Sequence, residues 1–180
     1  MFGLFKKDPR RDIVLALYKR VADASRAPWL YLEAGVPDSV EGRLESLTLH
    51  ALLVMRRLKA LPDPAPEVAQ EFIDVLFQHV DHGLRELGVG DVVVPKRMKK
   101  IAQNFYGRVN AYAEPLDQGD QLVLAAALDR NIPGVASARL VPYLLASEGL
   151  LSAMSLDDLL NATMLFALPG PAGQSGAGTA

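Results

Sequence analysis

Apolar residues recur at helical rather than alternating spacing along most of this chain. Ile13, Val14, Leu17, Tyr18 and Val21 share one face of a first helix, with Asp8 as its N-cap, Pro9 as its first residue and Pro28 as its stop, so that it ends near Ala27. The following segment, "PWLYLEAGVPD", reads as irregular, with Gly35 and Pro37 as turn residues, and it carries the only Trp. A connector holding Trp29 is expected to pack against something. Asp38 followed by Glu41 resembles a capping box and opens a second helix running to about Leu61. Its stripe of Leu44, Leu47, Ala51, Val54, Met55 and Leu58 is widened by Leu49, Leu52 and Leu53, and a helix this apolar around its girth belongs at the centre of a fold.

The rigid linker "LPDPAP" leads into a third helix from Pro66, whose inward positions are Val68, Phe72, Ile73, Leu76, Phe77, Val80, Leu84 and Leu87; Gly88 is its C′ residue. "GVGDVVV" connects to a fourth helix starting at Pro95, with Met98, Ile101, Ala102, Phe105, Val109 and Tyr112 on its apolar face. After "EPLDQGD" a fifth helix spans roughly 120 to 130, a sixth about 137 to 154 despite Pro142, and a seventh, capped by Ser155 with Asp158, continues to about Leu168. A lone "VVV" strand would have no partner. The pattern therefore predicts an all-α, single-domain helical bundle of six or seven helices over residues 1 to 168, with a disordered C-terminal tail from 169 to 180 that is too poor in apolar groups to order itself.

At 180 residues the chain can bury one substantial core. Its longest relevant apolar run, "LVLAAAL", is far short of the roughly 20 residues a membrane span needs. The N-terminal order, apolar residues before charges, is wrong for a secretory signal, so the expected location is the cytoplasm. Without cysteine there is no disulfide, thiolate nucleophile or Cys-ligated metal. The net charge of −2 hides an asymmetry: residues 1 to 112 carry 17 Lys and Arg against 14 Asp and Glu, and residues 113 to 180 carry 2 against 7. That is too little basic excess for a dedicated DNA binder.

No motif supplies catalytic chemistry. His79 and His82 share a helix face with Asp81 between them, but a metal site needs a further ligand, and His50 is the only other histidine. "GQSGAG" fails the nucleophile-elbow pattern at Ala177, and "GVG" lacks the remainder of any phosphate-cradling fingerprint. Asp157 and Asp158 sit at a helix start, where the macrodipole favours them without catalytic duty. The expectation is a protein that is not an enzyme and holds no cofactor or metal.

One cluster is different in kind. Lys96, Arg97, Lys99, Lys100 and Arg108 lie in a stretch from 92 to 113 that contains no acidic residue. Cations at a helix N-terminus oppose the macrodipole, so stability does not select them. They make either a solvated face or a contact for a polyanion: ribosomal RNA, anionic lipid headgroups or an acidic protein patch. Arg43, Arg85 and Arg108 are expected to brace the fold by pairing with Glu45, Glu86 or Asp91.

Three blocks, "YLEAGVPDSVEGRLESLTLHALLVMRRL", "DHGLRELGVGDVVVPKRMKKIAQNFYGRVNAY" and "LAAALDRNI", resemble the ubiquinol–cytochrome c chaperone family, assembly factors of the respiratory cytochrome bc complex, over about residues 9 to 132. The resemblance rests on Gly35, Pro37, Asp38, Gly42 and Arg43 in the first block; on Arg85, Glu86, Gly88, Gly90 and Asp91 in the second; and on Tyr106, Gly107, Arg108 and Tyr112 further along it. It implies an all-α chaperone that binds newly made cytochrome b or its nascent chain. It also implies a bacterial member, with a small partner subunit and the ribosome as further candidate contacts; peripheral contact with the inner face of the cytoplasmic membrane is expected from the basic cluster. A client made of membrane helices implies an apolar groove, expected at Trp29, Leu30 and Tyr31, beside a cationic docking patch of Lys96, Arg97, Lys99, Lys100 and Arg108. Pro95 departs from the family pattern, and residues after Ile132 follow no pattern that assigns them a role.

Overall fold

The computed structural model describes residues 9–170. Eight helical segments and no strand occur among them: α1 (Pro9–Ala24), α2 (Pro28–Leu32), α3 (Val40–Ala60), α4 (Ala65–Glu86), α5 (Val94–Gln118), α6 (Gln121–Asn131), α7 (Ser137–Ser152) and α8 (Leu156–Asn161). The all-α expectation is met. The Asp8 cap and most of the predicted tail lie outside the described residues.

α3 is the axis of the bundle, packing against α1, α4, α5 and α7, as its broad apolar girth requires. Leu49, Ala51, Leu52, Leu53, Val54 and Leu58 on it are buried. α1 and α4 pack along one side of it, α5 and α6 follow on another, and α8 returns to α1.

Five local readings are corrected. The connector after α1 contains a short helix, α2, because Pro28 at its start is a helix initiator as well as a terminator. It packs as expected: the Trp29 ring meets Tyr143 of α7 edge-on, with centroids 4.7 Å apart. The cap of α3 is Ser39, whose hydroxyl accepts from the Gly42 amide, and not an Asp38–Glu41 box. α5 runs through Pro115 to Gln118, where a loop was expected. Proline removes one backbone donor, but Pro115, with Leu116, continues the buried stripe of Phe105 and Tyr112, and Gly119 closes the helix at φ 63°. α8 keeps its Ser155–Asp158 capping box but ends at Asn161, because residues 162–168 are bound by their own contacts instead. Finally, Leu87 and Ile13, assigned inward, are 64% and 42% exposed.

Residues 133–168 are sewn into the bundle by three arginines of the N-terminal half. Arg20 donates to the carbonyls of Leu160 (2.6 Å) and Ala162. Arg57 donates to the carbonyl of Met154. Arg56 reaches Glu148 at 2.9 Å and Asp117 at 2.6 Å. These carbonyls close helical turns whose last acceptors have no partner within the helix.

Candidate functional site

Two glycine-punctuated turns build the site. The first joins α2 to α3. Gly35 has φ +71°, and a Cβ there would stand 2.5 Å from the Gly134 carbonyl oxygen; a Cβ on Gly42 would stand 2.0 Å from that of Pro37. Only glycine fits either contact. Asp38 accepts from Arg43 at 2.8 Å, which fixes the entry of α3 and raises the Arg43 pKa.

The second turn joins α4 to α5. The Gly88 amide donates to Arg85 and the Val89 amide to Leu84, with Gly88 at φ +78°, which is the Schellman closure of a helix. Arg85 bridges Asp81, at 2.7 Å, and Asp91. Of the expected braces, Arg85–Asp91 and Arg108–Glu45 form; Arg43 takes Asp38 instead, and Glu86 pairs with His82 at 3.2 Å. Gly90 has no positive φ and, like Gly107 on α5, faces open space. Of the "VVV" run, Val92 and Val93 belong to the turn and the buried Val94 opens α5.

Between these turns lies a groove. A cavity of about 340 Å³ is floored by Val40, Leu44, Leu84, Ile101 and Phe105, and Arg97, Lys100, Asn104 and Arg108 form its α5 wall. It adjoins two more open depressions of about 820 and 570 Å³ that share Val40 with it, one toward α1 along Leu44, Leu47, Val80 and Leu84, the other under Leu87, Val89 and Val93. The groove is thus apolar below and charged at the lip. Phe105 is held in its floor by edge contacts to Phe77 and to the half-exposed Tyr106, with centroids 5.6 and 5.5 Å apart.

The candidate cations divide into two groups. Arg108 is half-buried and committed to Glu45, with its pKa raised by that hydrogen bond. Lys96, Arg97, Lys99 and Lys100 are exposed, and none has a carboxylate within 4.0 Å among the described residues. Val93, the N-cap of α5, offers no side chain to the first amides of the helix, so the positive helix end adds to this charge. Trp29 and Tyr31 line none of these cavities: Trp29 leans on Tyr143, Leu30 is buried, and the Tyr31 hydroxyl donates to the Ser25 carbonyl at 2.8 Å. These cavities lie along the first turns of α3 and the end of α4. Their legible signals are Leu44 and Leu84, which the periodicity assigns to core stripes.

The histidines stand apart from one another. His79 Nδ1 donates to the Val75 carbonyl at 2.8 Å and its ring stacks on Tyr18 at 4.4 Å; His82 is exposed beside Glu86. Among the described residues no group of three His, Asp or Glu side chains could hold a metal ion. His50 is fully buried in a polar thread that sequence reasoning did not find. Its Nδ1 lies 2.7 Å from the Ser46 carbonyl, an acceptor only, so Nδ1 carries the proton and Nε2 accepts from the Tyr143 hydroxyl at 2.7 Å. Ser147 hydrogen-bonds Tyr143, and the Ala167 amide donates to Ser147 at 3.0 Å, beside Phe166 packed edge-on against the imidazole. Burial lowers His50 to about 4 and raises Tyr143 above the ordinary tyrosine range. The thread is closed to solvent and fastens the C-terminal segment to α3.

No helix of the described residues is long and apolar enough to cross a membrane. The chain is similar to the crystal structure of the Cbp3 homolog from Brucella abortus, at 41% identity and a TM-score of 0.77, over 87% of this chain and 89% of that one. No curated protein matches. The profile of the ubiquinol-cytochrome C chaperones matches residues 32–166, taking in the groove, the α4–α5 turn, and the segment beyond Ile132 that is anchored by Arg56 and Arg57. Most of the chain lies within that match, and the protein belongs to the ubiquinol-cytochrome C chaperone family.

Proposed function

We propose that this protein is an assembly chaperone of the cytochrome bc complex that holds newly made cytochrome b through protein–protein contacts. The observation that carries the reading is the groove: an apolar floor of Val40, Leu44, Leu84, Ile101 and Phe105 beside Arg97 and Lys100, neither of which has a carboxylate within 4.0 Å among the described residues. A membrane-helix client before assembly has apolar surface to cover, and an open groove between helices is a general way to receive an apolar helix face. Family membership supports a chaperone role.

Deletion of the gene, followed by reduced-minus-oxidised spectra and cytochrome b immunoblots of the membranes, tests the reading. Selective loss of the bc complex, restored by the wild-type gene, supports it; a normal bc complex removes it. The exposed Lys96, Arg97, Lys99 and Lys100 favour one other reading, contact with ribosomal RNA. It predicts binding of naked RNA that weakens steeply with salt.

A further inference from the structure

The α4–α5 turn, beyond the end of α4, exposes aliphatic surface. Val92 is 93% exposed, Leu87 64% and Val93 47%, and all three project from one seven-residue connection between two long helices. Immediately after them come the exposed Lys96, Arg97, Lys99 and Lys100. The one acidic residue of the connection, Asp91, is already engaged by Arg85. Exposed aliphatics at a closed turn, followed by four cations with no carboxylate within 4.0 Å among the described residues, have the chemistry of a surface that enters the boundary between anionic headgroups and acyl chains.

We propose that this tip docks the protein on an anionic lipid bilayer, with Leu87, Val92 and Val93 entering the headgroup–acyl boundary and Lys96, Arg97, Lys99 and Lys100 contacting the headgroups. Lipid fits better than RNA here, because a polynucleotide offers nothing to three exposed aliphatic side chains. The aromatic platform that base stacking needs is missing from the tip: Tyr106 lies more than three helical turns along α5 from it. The Schellman closure at Gly88 and the Arg85 bridge hold the tip in one shape before contact, which reduces the ordering required on docking.

The inference rests on the proposed function for its use. Leu87, Val93 and Arg97 also line the end of the groove, so a docked chain would hold that end open at the membrane face, where a membrane-helix client is found.

Flotation of the full chain with vesicles tests it, comparing phosphatidylcholine alone with equal parts phosphatidylcholine and phosphatidylglycerol. The wild type is expected to float only with the anionic vesicles and to be released as salt is raised. Each lysine replaced by glutamine is expected to weaken partition about fivefold, so Lys96→Gln with Lys99→Gln loses about 25-fold. Val92→Ser with Val93→Ser is expected to weaken it several-fold with the melting temperature unchanged. Flotation that ignores the tip substitutions, or the absence of flotation, overturns the inference, as does a lysine variant that loses RNA binding while keeping lipid binding. If the wild type does not float but the deletion strain still lacks the bc complex, the inference falls and the proposed function stands. Tip-dependent flotation with a normal bc complex in the deletion strain has the opposite meaning.

Discussion

Arg108 and Glu45 face each other across the seam between α5 and α3 as a two-pronged ion pair, Nε to Oε2 at 2.8 Å and Nη2 to Oε1 at 2.6 Å. Their side chains are only 22% and 17% exposed, so the pair is shielded enough to stiffen the groove wall. It also separates Arg108 from the cations that precede it on α5.

That separation gives opposite expectations for charges on one helix. Arg108→Gln leaves Glu45 half-buried without its partner and is expected to lower stability by about 2 kcal/mol. Lys96→Glu, Lys99→Glu and Lys100→Glu together put acidic groups at a helix start, where the macrodipole favours them, and are expected to leave stability within about 0.5 kcal/mol of wild type. Co-purification with the client or ribosome is expected to fall in the triple variant. Urea titration and pull-down from the same preparations separate the two effects; unchanged co-purification removes the docking role of the lysines.

His50 predicts a pH dependence of known sign. Buried in contact with Tyr143 and the Ser46 carbonyl, it stays neutral in the fold down to about 4, whereas the unfolded chain takes up a proton near the ordinary 6.5. Between those values the unfolded state binds more protons. Stability from this group is therefore complete above pH 6.5, declines as pH falls through the window, and levels off below about 4 after a loss of about 3 kcal/mol. His50→Leu is expected to flatten that part of the profile, while orphaning the Tyr143 hydroxyl at a cost of about 1–3 kcal/mol. Adding Tyr143→Phe is expected to recover part of the loss, and additivity of the two substitutions would show that the bond contributes nothing.

These residues also mark what could be read from the chain. Helical order, the central α3 and the cationic start of α5 follow from spacing and local charge, because a buried stripe repeats and an acid-free run is visible directly. The His50–Tyr143 bond joins positions 93 apart, and a histidine in an apolar stripe announces no partner. The contacts of Trp29 and Tyr31 are equally silent in the chain: Trp29 meets Tyr143 of α7, and the Tyr31 hydroxyl donates to the Ser25 carbonyl. Pro115 lies inside α5 although local steric rules disfavour proline in a helix, and its burial in the last turn outweighs them.

The glycines of the two turns are expected to differ in a graded way. Gly88→Val forces a β-branched residue to φ +78° and is expected to destabilise by more than about 1 kcal/mol. Gly90→Val meets open space without positive φ and should fall within about 0.5 kcal/mol of wild type. Gly42→Ala drives a Cβ to 2.0 Å from the Pro37 carbonyl oxygen, so either α3 or its entry turn must shift. Thermal melts of the three variants check the order, and a Gly90 variant as unstable as the Gly88 one would remove the φ argument.

Val40 offers the most direct test of the groove, since it borders all three depressions and is itself 40% exposed. It is also the first residue of α3, where a carboxylate interacts favourably with the helix dipole. Val40→Asp therefore places a charge in the apolar floor at a position where folding tolerates it, and the melting temperature is expected to stay within a few degrees of wild type. An apolar client face would have to desolvate that charge, so capture of cytochrome b and the bc-complex spectrum in a complemented deletion strain are both expected to drop. Val40→Leu serves as the control, because it keeps the floor apolar and should retain both. A folded Val40→Asp protein that restores the bc complex fully would place the client somewhere other than this groove.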